Sequence, residues 1–326
     1  MNFARRLNYY RRIFPAYLGR RNSHLTFWHD APDVNHRCAP RSLGEYYMPF
    51  LEKADYAGPF DRQGVPLLDY RGRLGRQYNP IAIAQFGLGN FNLFCRTGQE
   101  KRRHKFLLVA DWLVANLETN RAGLRVWNHH FDWEYRTTLR APWQSALAQS
   151  QGISVLVRAF DETGDSVYLE AAELAFKAMR TETSEGGMVY VDETGDLWLE
   201  EYIVSPPTHI LNGFIWATWG VHDYWLAAGD EAARQLFATT VGTLLRNLER
   251  FDAGFWSLYE LAGTRLKMLA SPFYHRLHIA QLGVLRGLTG EELFEQYAEK
   301  WDGYRRNFLK RNAALAYKSA FKLLYY

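Results

Sequence analysis

Cysteine is scarce in this sequence. Cys38 and Cys95 are the only two in 326 residues. That is too few for a disulfide framework, and no CxxC or Cys/His cluster with metal-ligand spacing accompanies them. Long apolar runs are also missing. Nothing approaches the ~18 residues that a membrane-crossing helix needs, and the N-terminus lacks the apolar core of a secretory signal. A cytoplasmic protein without a transmembrane segment is the expectation. Net charge is weak, at +4, and the cations form no nucleic-acid-binding arm. A polyanionic partner is therefore permitted but not required, and nucleic acid is not expected. The cations gather at the two ends, in "MNFARRLNYYRRIFPAYLGRR" and "YRRNFLKRNAALAYKSAFKLLYY". There they mix with apolar residues at helical spacing. Each end reads either as a helix packed on its own domain or as a surface for peripheral membrane contact or a partner.

Aromatic residues are abundant, at 16%, with 11 Trp, 20 Tyr and 20 Phe. They fill cores, but an excess of this size also supplies stacking faces for sugar rings or bases.

Four stretches share one pattern: an apolar helical run, a Gly, an acidic or amide residue, then a second amphipathic run. The glycines are Gly98, Gly164, Gly229 and Gly290. A Gly at this place suits a left-handed helix C-cap, and the next residue suits a new helix N-terminus. Helical hairpins recurring at this interval predict an incomplete (α/α) toroid or barrel, mainly α. The first 75 residues differ. They predict a basic helix and then irregular or β-hairpin structure, ahead of a barrel over residues 76–326.

Between the hairpins lie three longer connections: "GLRVWNHHFDWEY", "GGMVYVDETGDLWLEEY" and "AGFWSLYEL". Each has a Gly followed by alternating aromatics, which predicts short β-hairpins. All occupy the same place in the repeat, so they are expected on one rim, and long connections in a compact domain are often functional. The rim offers Glu200, Glu201, Tyr202, Tyr259, Tyr274, His275 and His278, with Arg265 and Arg276 near in sequence.

Two chemistries suit such a rim. A glycosidase needs two carboxylates across the scissile bond. Adjacent Glu200 and Glu201 point opposite ways on a strand, so Asp132, Glu134 or Glu260 would have to supply the second. Alternatively, a base removes the proton α to a uronate carboxylate whose charge is held by cations or strong donors. Loss of the 4-linked sugar then makes a lyase, and reprotonation from the opposite face makes an epimerase. A tyrosine serves as base if its surroundings bring its pKa down. A non-catalytic polyuronate-binding protein is a further reading. His275 and His278 have no third ligand at metal spacing, so hydrogen-bonded roles are expected for them. Gln149, Gln151 and Asn212, on inner-helix patterns, hold sugar hydroxyls or bridge helices.

Several segments, in order, resemble the D-glucuronyl C5-epimerases, which convert D-glucuronate to L-iduronate in heparosan or heparan-type chains. They are "QYNPIAIAQFGLGNFN", "WQSALAQSQGISVLVRAF", "LWLEEYIVSPPTHILNGFIWATWGVHDYW", "GFWSLYEL" and "YHRLHIAQL". The resemblance implies a barrel with a rim site, an anionic polysaccharide substrate, a homodimer, and no metal or nucleotide cofactor in the chemistry. It implies Glu201 as acid/base on one face and Tyr274 as acid/base on the other. Tyr202 neighbours Glu201, Tyr259 assists, and Tyr78 contacts substrate. Arg265, Arg276, Gln149, Gln151, Asn212 and His278 are the further candidate substrate contacts. The family has an Arg three residues after the tyrosine matching Tyr259. Here that position is Ala262, with Arg265 three residues further on.

Overall fold

A computed structural model of the protein describes residues 25–28 and 31–325. The basic N-terminal stretch, and the helix expected there, lie outside the described residues. No described helix is long and apolar enough to cross a membrane.

The four punctuating glycines act as the sequence predicts. Gly98, Gly164, Gly229 and Gly290 take φ of 62°, 72°, 63° and 78°. Each donates its N–H to the carbonyl four residues back, at 2.8–2.9 Å. Only glycine adopts this left-handed backbone without penalty. They separate α1 (Pro80–Thr97) from α2 (Glu100–Ala115), and α3 (Ala146–Thr163) from α4 (Ser166–Met179). They likewise separate α5 (Leu211–Ala228) from α6 (Glu231–Asn247), and α7 (Pro272–Thr289) from α8 (Glu292–Arg306). A last helix, α9, spans Phe308–Tyr325. The first helix of every hairpin has 18 residues, roughly 27 Å of rise. Asn79 caps α1 by accepting from Ile81 and Ala82, and Asp165 and Asp230 cap α4 and α6. These oxygens satisfy amides that the first helical turn leaves unpaired.

Helices α1, α3, α5 and α7 stand side by side in a row, and their partners buttress them from outside. No extensive α1–α7 contact closes the row. The architecture is an incomplete (α/α) toroid. Inner helices approach closely: a Cβ on Gly220 of α5 would lie 2.4 Å from the Ser150 Cβ of α3.

The inner helices all start at the same rim, and the connections arrive there. They carry antiparallel pairs: β3 (Glu118–Thr119) with β4 (Arg125–Val126), β5 (Trp133–Glu134) with β6 (Thr138–Leu139), and β7 (Val189–Val191) with β8 (Leu197–Leu199). Ahead of α1, β1 (Leu68–Asp69) pairs with β2 (Arg76–Gln77). The connection from α6 to α7 makes only isolated pairings, Asp252 with Ser257 and Leu258 with Leu269.

Residues 31–60 seal the opposite end and share the main core through Tyr46, Tyr47, Met48 and Phe50. The Tyr47 hydroxyl donates to Asp223 at 2.6 Å. Arg158 pairs bidentately with the same carboxylate, at 2.7 and 3.1 Å. Neither ionic side chain is more than 2% exposed. Burying two charges is tolerated because both are paired and hydrogen-bonded. The basic C-terminal segment packs on its own domain, with Ala314, Lys318 and Phe321 turned inward, while Phe308 and Leu309 stay exposed.

Candidate active site

The end of β8 is fixed from both sides. The Glu200 N–H donates to Met188 O, and its carbonyl accepts from Ala146 N, both at 3.0 Å. Strand alternation then sends the two glutamates apart. Glu200 meets His209, Oε1 to Nδ1, at 2.5 Å. Glu201 turns instead to the first turn of α5, against Gly213. A Cβ there would sit 2.2 Å from Glu201 Oε2 and 2.6 Å from Glu201 Cβ, so the missing side chain is the space the carboxyl occupies. Asn212 Nδ2 donates to Oε2 at 3.4 Å.

Glu201 is 5% exposed, and among the described residues no cation pairs with it. Burial pushes its carboxyl up to about 8, with smaller pushes from Glu200 and Glu260 and an opposing hydrogen bond from Tyr202. Removing a carboxylate from water favours its neutral form. At neutral pH this side chain holds a proton that is close to being released.

Aromatic rings wall the cluster. Tyr202 meets Tyr135 with centroids 4.6 Å apart and Trp143 at 5.7 Å. Tyr259 meets Tyr274 edge-on at 4.9 Å. Tyr259 also packs with Ile210, Met268 and Phe321. Burial, reinforced by the Glu201 charge, pushes the Tyr202 and Tyr259 hydroxyls well above the usual tyrosine range. This corrects the expectation of tyrosines tuned downward as bases: these two are neutral phenol donors.

A second buried carboxylate, Glu260, has no exposed side-chain surface. Arg136 grips one of its oxygens through Nε, at 2.5 Å, and through Nη2, while the Tyr135 hydroxyl donates to the other. Arg136 keeps 21% of its side chain exposed. Glu260 is thus a neutralised partner, which weighs against it as a glycosidase acid.

Of the residues expected at the site, the structure brings together Glu201, Tyr202, Tyr259, Tyr274 and Asn212. Among the others, Gln149, Gln151 and His278 are buried. Arg265 and Arg276 are exposed, and Arg136 reaches the cluster through Glu260. Gln149 accepts from the Trp127 N–H and donates to the carbonyls of Arg125 and Ala175. It bridges backbone segments instead of facing a sugar. Gln151 accepts from Gln85 between α3 and α1 at 3.1 Å and is fully buried. His278 is fully buried with Nδ1 on Ser257 Oγ at 3.0 Å. His275 shares that hydroxyl at 2.7 Å and stacks on Trp256. Tyr78 is 41% exposed, lies against Trp112 of α2, and donates its hydroxyl to Asp61 at 2.7 Å.

Sequence reasoning missed Arg136, Tyr135, His209 and the cover formed by α9. Lys318 of α9 donates to Leu269 O and lies 5.9 Å from the Tyr259 ring centroid. The rim aromatics "DWEY" flag the Tyr135 loop, but nothing in the spacing links Arg136 to Glu260.

The family described as D-glucuronyl C5-epimerase C-terminus matches residues 121–303, more than half of the chain. The chain belongs to the D-glucuronyl C5-epimerase family. Glu201, Tyr202, Tyr259, Tyr274, Arg136 and Glu260 all fall within that matched range. The chain is 33% identical to the D-glucuronyl C5-epimerase of Caenorhabditis elegans over 221 residues, 63% of this chain and 36% of that protein. It is 30% identical to an uncharacterized protein of Methanocaldococcus jannaschii over 195 residues, 59% of this chain and 62% of that one. It therefore spans about a third and less than two thirds of these relatives. Cellobiose 2-epimerase from Spirochaeta thermophila has a similar fold, with a TM-score of 0.50 and 16% identity, covering 76% of this chain and 63% of that one. At that identity the likeness concerns the fold alone.

Proposed function

We propose that this epimerase-family chain inverts C5 of D-glucuronate to L-iduronate within a heparosan-like polysaccharide. The observation that carries the reading is Glu201: a buried carboxyl that no cation among the described residues pairs with, beside tyrosine hydroxyls, with Arg136 on a neighbouring loop. Ionised Glu201 takes the C5 proton, and the C–H electron pair passes into the uronate carboxyl as an enediolate. Arg136 and the phenol donors Tyr202 and Tyr259 stabilise that charge, since donors in a dry site stabilise developing charge strongly. The Tyr274 hydroxyl gives its proton to C5 from the opposite face. Exchange with water then returns Glu201 and Tyr274 to their starting states, and the reverse reaction exchanges their roles. Glu201, with its carboxyl near 8, suits both halves of this task.

Incubation with heparosan in D2O, followed by NMR, tests the reading. Deuterium at C5 and a rising iduronate signal are expected. Absence of both, on heparosan and on its N-sulfated form, sinks it. An unsaturated uronate absorbing in the ultraviolet would instead identify a lyase sharing the same first step. The homodimer is part of the same proposal, and sedimentation velocity on the full chain tests it, a monomer at micromolar concentration being the contrary result.

A further inference from the structure

Glu200 stands beside Glu201 in sequence, yet the reaction just described does not use it. It is 1% exposed, and its partner His209 is 7% exposed. Both carboxylate oxygens are engaged by that one residue: Oε1 by Nδ1 at 2.5 Å, and Oε2 by the His209 backbone N–H at 3.3 Å. His209 takes φ of 47°, a left-handed backbone on a residue with a full side chain. Such a conformation costs on the order of 1 kcal/mol and persists where its surroundings hold it. The surroundings are visible. The imidazole stacks on Trp198 at 4.3 Å and 18°, and Tyr190 of β7 closes the other approach at 5.7 Å.

The location gives the pair its significance. Thr208 O accepts from Leu261 N at 2.8 Å, and Leu211 N donates to Tyr259 O at 3.1 Å. His209 lies between these two links. It therefore joins the end of β8, the start of α5 with Asn212 and Gly213, and the α6–α7 connection carrying Tyr259 and Glu260. Three elements that supply the site meet at one strained residue tied to the neighbour of Glu201.

We infer that Glu200 and His209 form a positioning pair for Glu201, holding its backbone against Gly213. This rests on the reading of Glu201 as the acid/base. The groups around Glu201 are its neighbour Glu200, Tyr202, Tyr259 and Asn212, with Glu260 paired to Arg136. Those facing His209 are Glu200, Trp198 and Tyr190. Glu200 is thus the acidic neighbour of Glu201 that an imidazole holds in place.

The test follows both carboxyls by 13C NMR in glutamate-labelled full-length protein, with C5 deuterium exchange on heparosan measured in parallel. In E200Q the Glu201 midpoint is expected about one pH unit lower, because a nearby negative charge is removed. In H209Q the Glu201 midpoint is expected to move by a similar amount, because the ring that holds Glu200 in place beside it is lost. Both variants should lower kcat about tenfold, with KM within twofold and the pH limit of the rate displaced in the same directions as the NMR midpoints. Unmoved midpoints in both folded variants would overturn the inference. If H209Q does not fold, E200Q alone decides, since the amide keeps the shape of the carboxylate. Midpoints that move as stated in a protein without exchange would leave the pair's action on Glu201 standing and refute the epimerase reading instead.

Discussion

Replacing Gly213 with alanine isolates the placement of Glu201 from every other property of the site. The added Cβ would lie 2.2 Å from Oε2, 2.9 Å from Cδ and 2.6 Å from Cβ of Glu201. Ordinary contact begins near ~3.4 Å, so each distance is short by about 0.5–1.2 Å. Rotating the carboxyl relieves the first two. It cannot relieve the third, because Cβ is fixed to the backbone, and that backbone is tied to Met188 and Ala146. The strand end or the first turn of α5 must therefore shift. A misplacement of about 1 Å costs on the order of 100-fold in rate. Stability should suffer less. Overpacking costs ~1–3 kcal/mol, and alanine in a helix returns ~0.5–1 kcal/mol. The expected outcome is a C5 exchange rate about 100-fold below wild type, with thermal unfolding lowered by only a few degrees. Exchange within threefold of wild type would refute the claim that this glycine makes room for the reacting carboxyl.

Glu201→Gln should abolish exchange yet stabilise the fold at alkaline pH. A carboxyl near 8 in the folded chain, against about 4.5 unfolded, binds more protons when folded. Its contribution is therefore present below the unfolded value and is lost as pH rises through 8. The gain in melting temperature over wild type should be small at pH 5 and largest at pH 9. Arg136→Met leaves Glu260 buried without its cation and is expected to cost ~3–5 kcal/mol in urea unfolding. Arg136→Lys should recover part of the stability but little of the rate, because lysine cannot reproduce the fork. Asp223→Asn strips Arg158 of its partner at the sealed end and should cost a similar ~3–5 kcal/mol, with KM unchanged in whatever fraction stays folded. Tyr78→Phe loses a hydrogen bond to Asp61 at the surface. Less than ~1 kcal/mol of stability and an unaltered KM are expected, and a raised KM would show Tyr78 to be a substrate contact.

The toroid was legible because it is written in local chemistry. Gly98, Gly164, Gly229 and Gly290 are each followed by a residue suited to start a helix, and both features act within a few residues. The pair Glu201 and Tyr202 was legible for another reason: acid beside aromatics in a rim connection is costly unless used. The rest depends on contacts made far along the chain. Arg136 and Glu260 are 124 residues apart, and Tyr47 and Asp223 are 176 apart. No periodicity relates such partners. Gln149 and Gln151 show the converse. An amide on an inner helix has the same appearance whether it meets a sugar or a carbonyl, and here the backbone and Gln85 take them. The tyrosine expectation failed because burial was not weighed against the cations, and burial dominates for Tyr202 and Tyr259.

The account stands most directly on proton exchange at C5. Heparosan incubated in D2O with wild type, Glu201→Gln and Tyr274→Phe should take up deuterium at C5 only with the wild-type protein, and iduronate should accumulate in that sample alone. Exchange that persists in Glu201→Gln, or a wild-type protein that exchanges nothing on heparosan and its N-sulfated form, would contradict it.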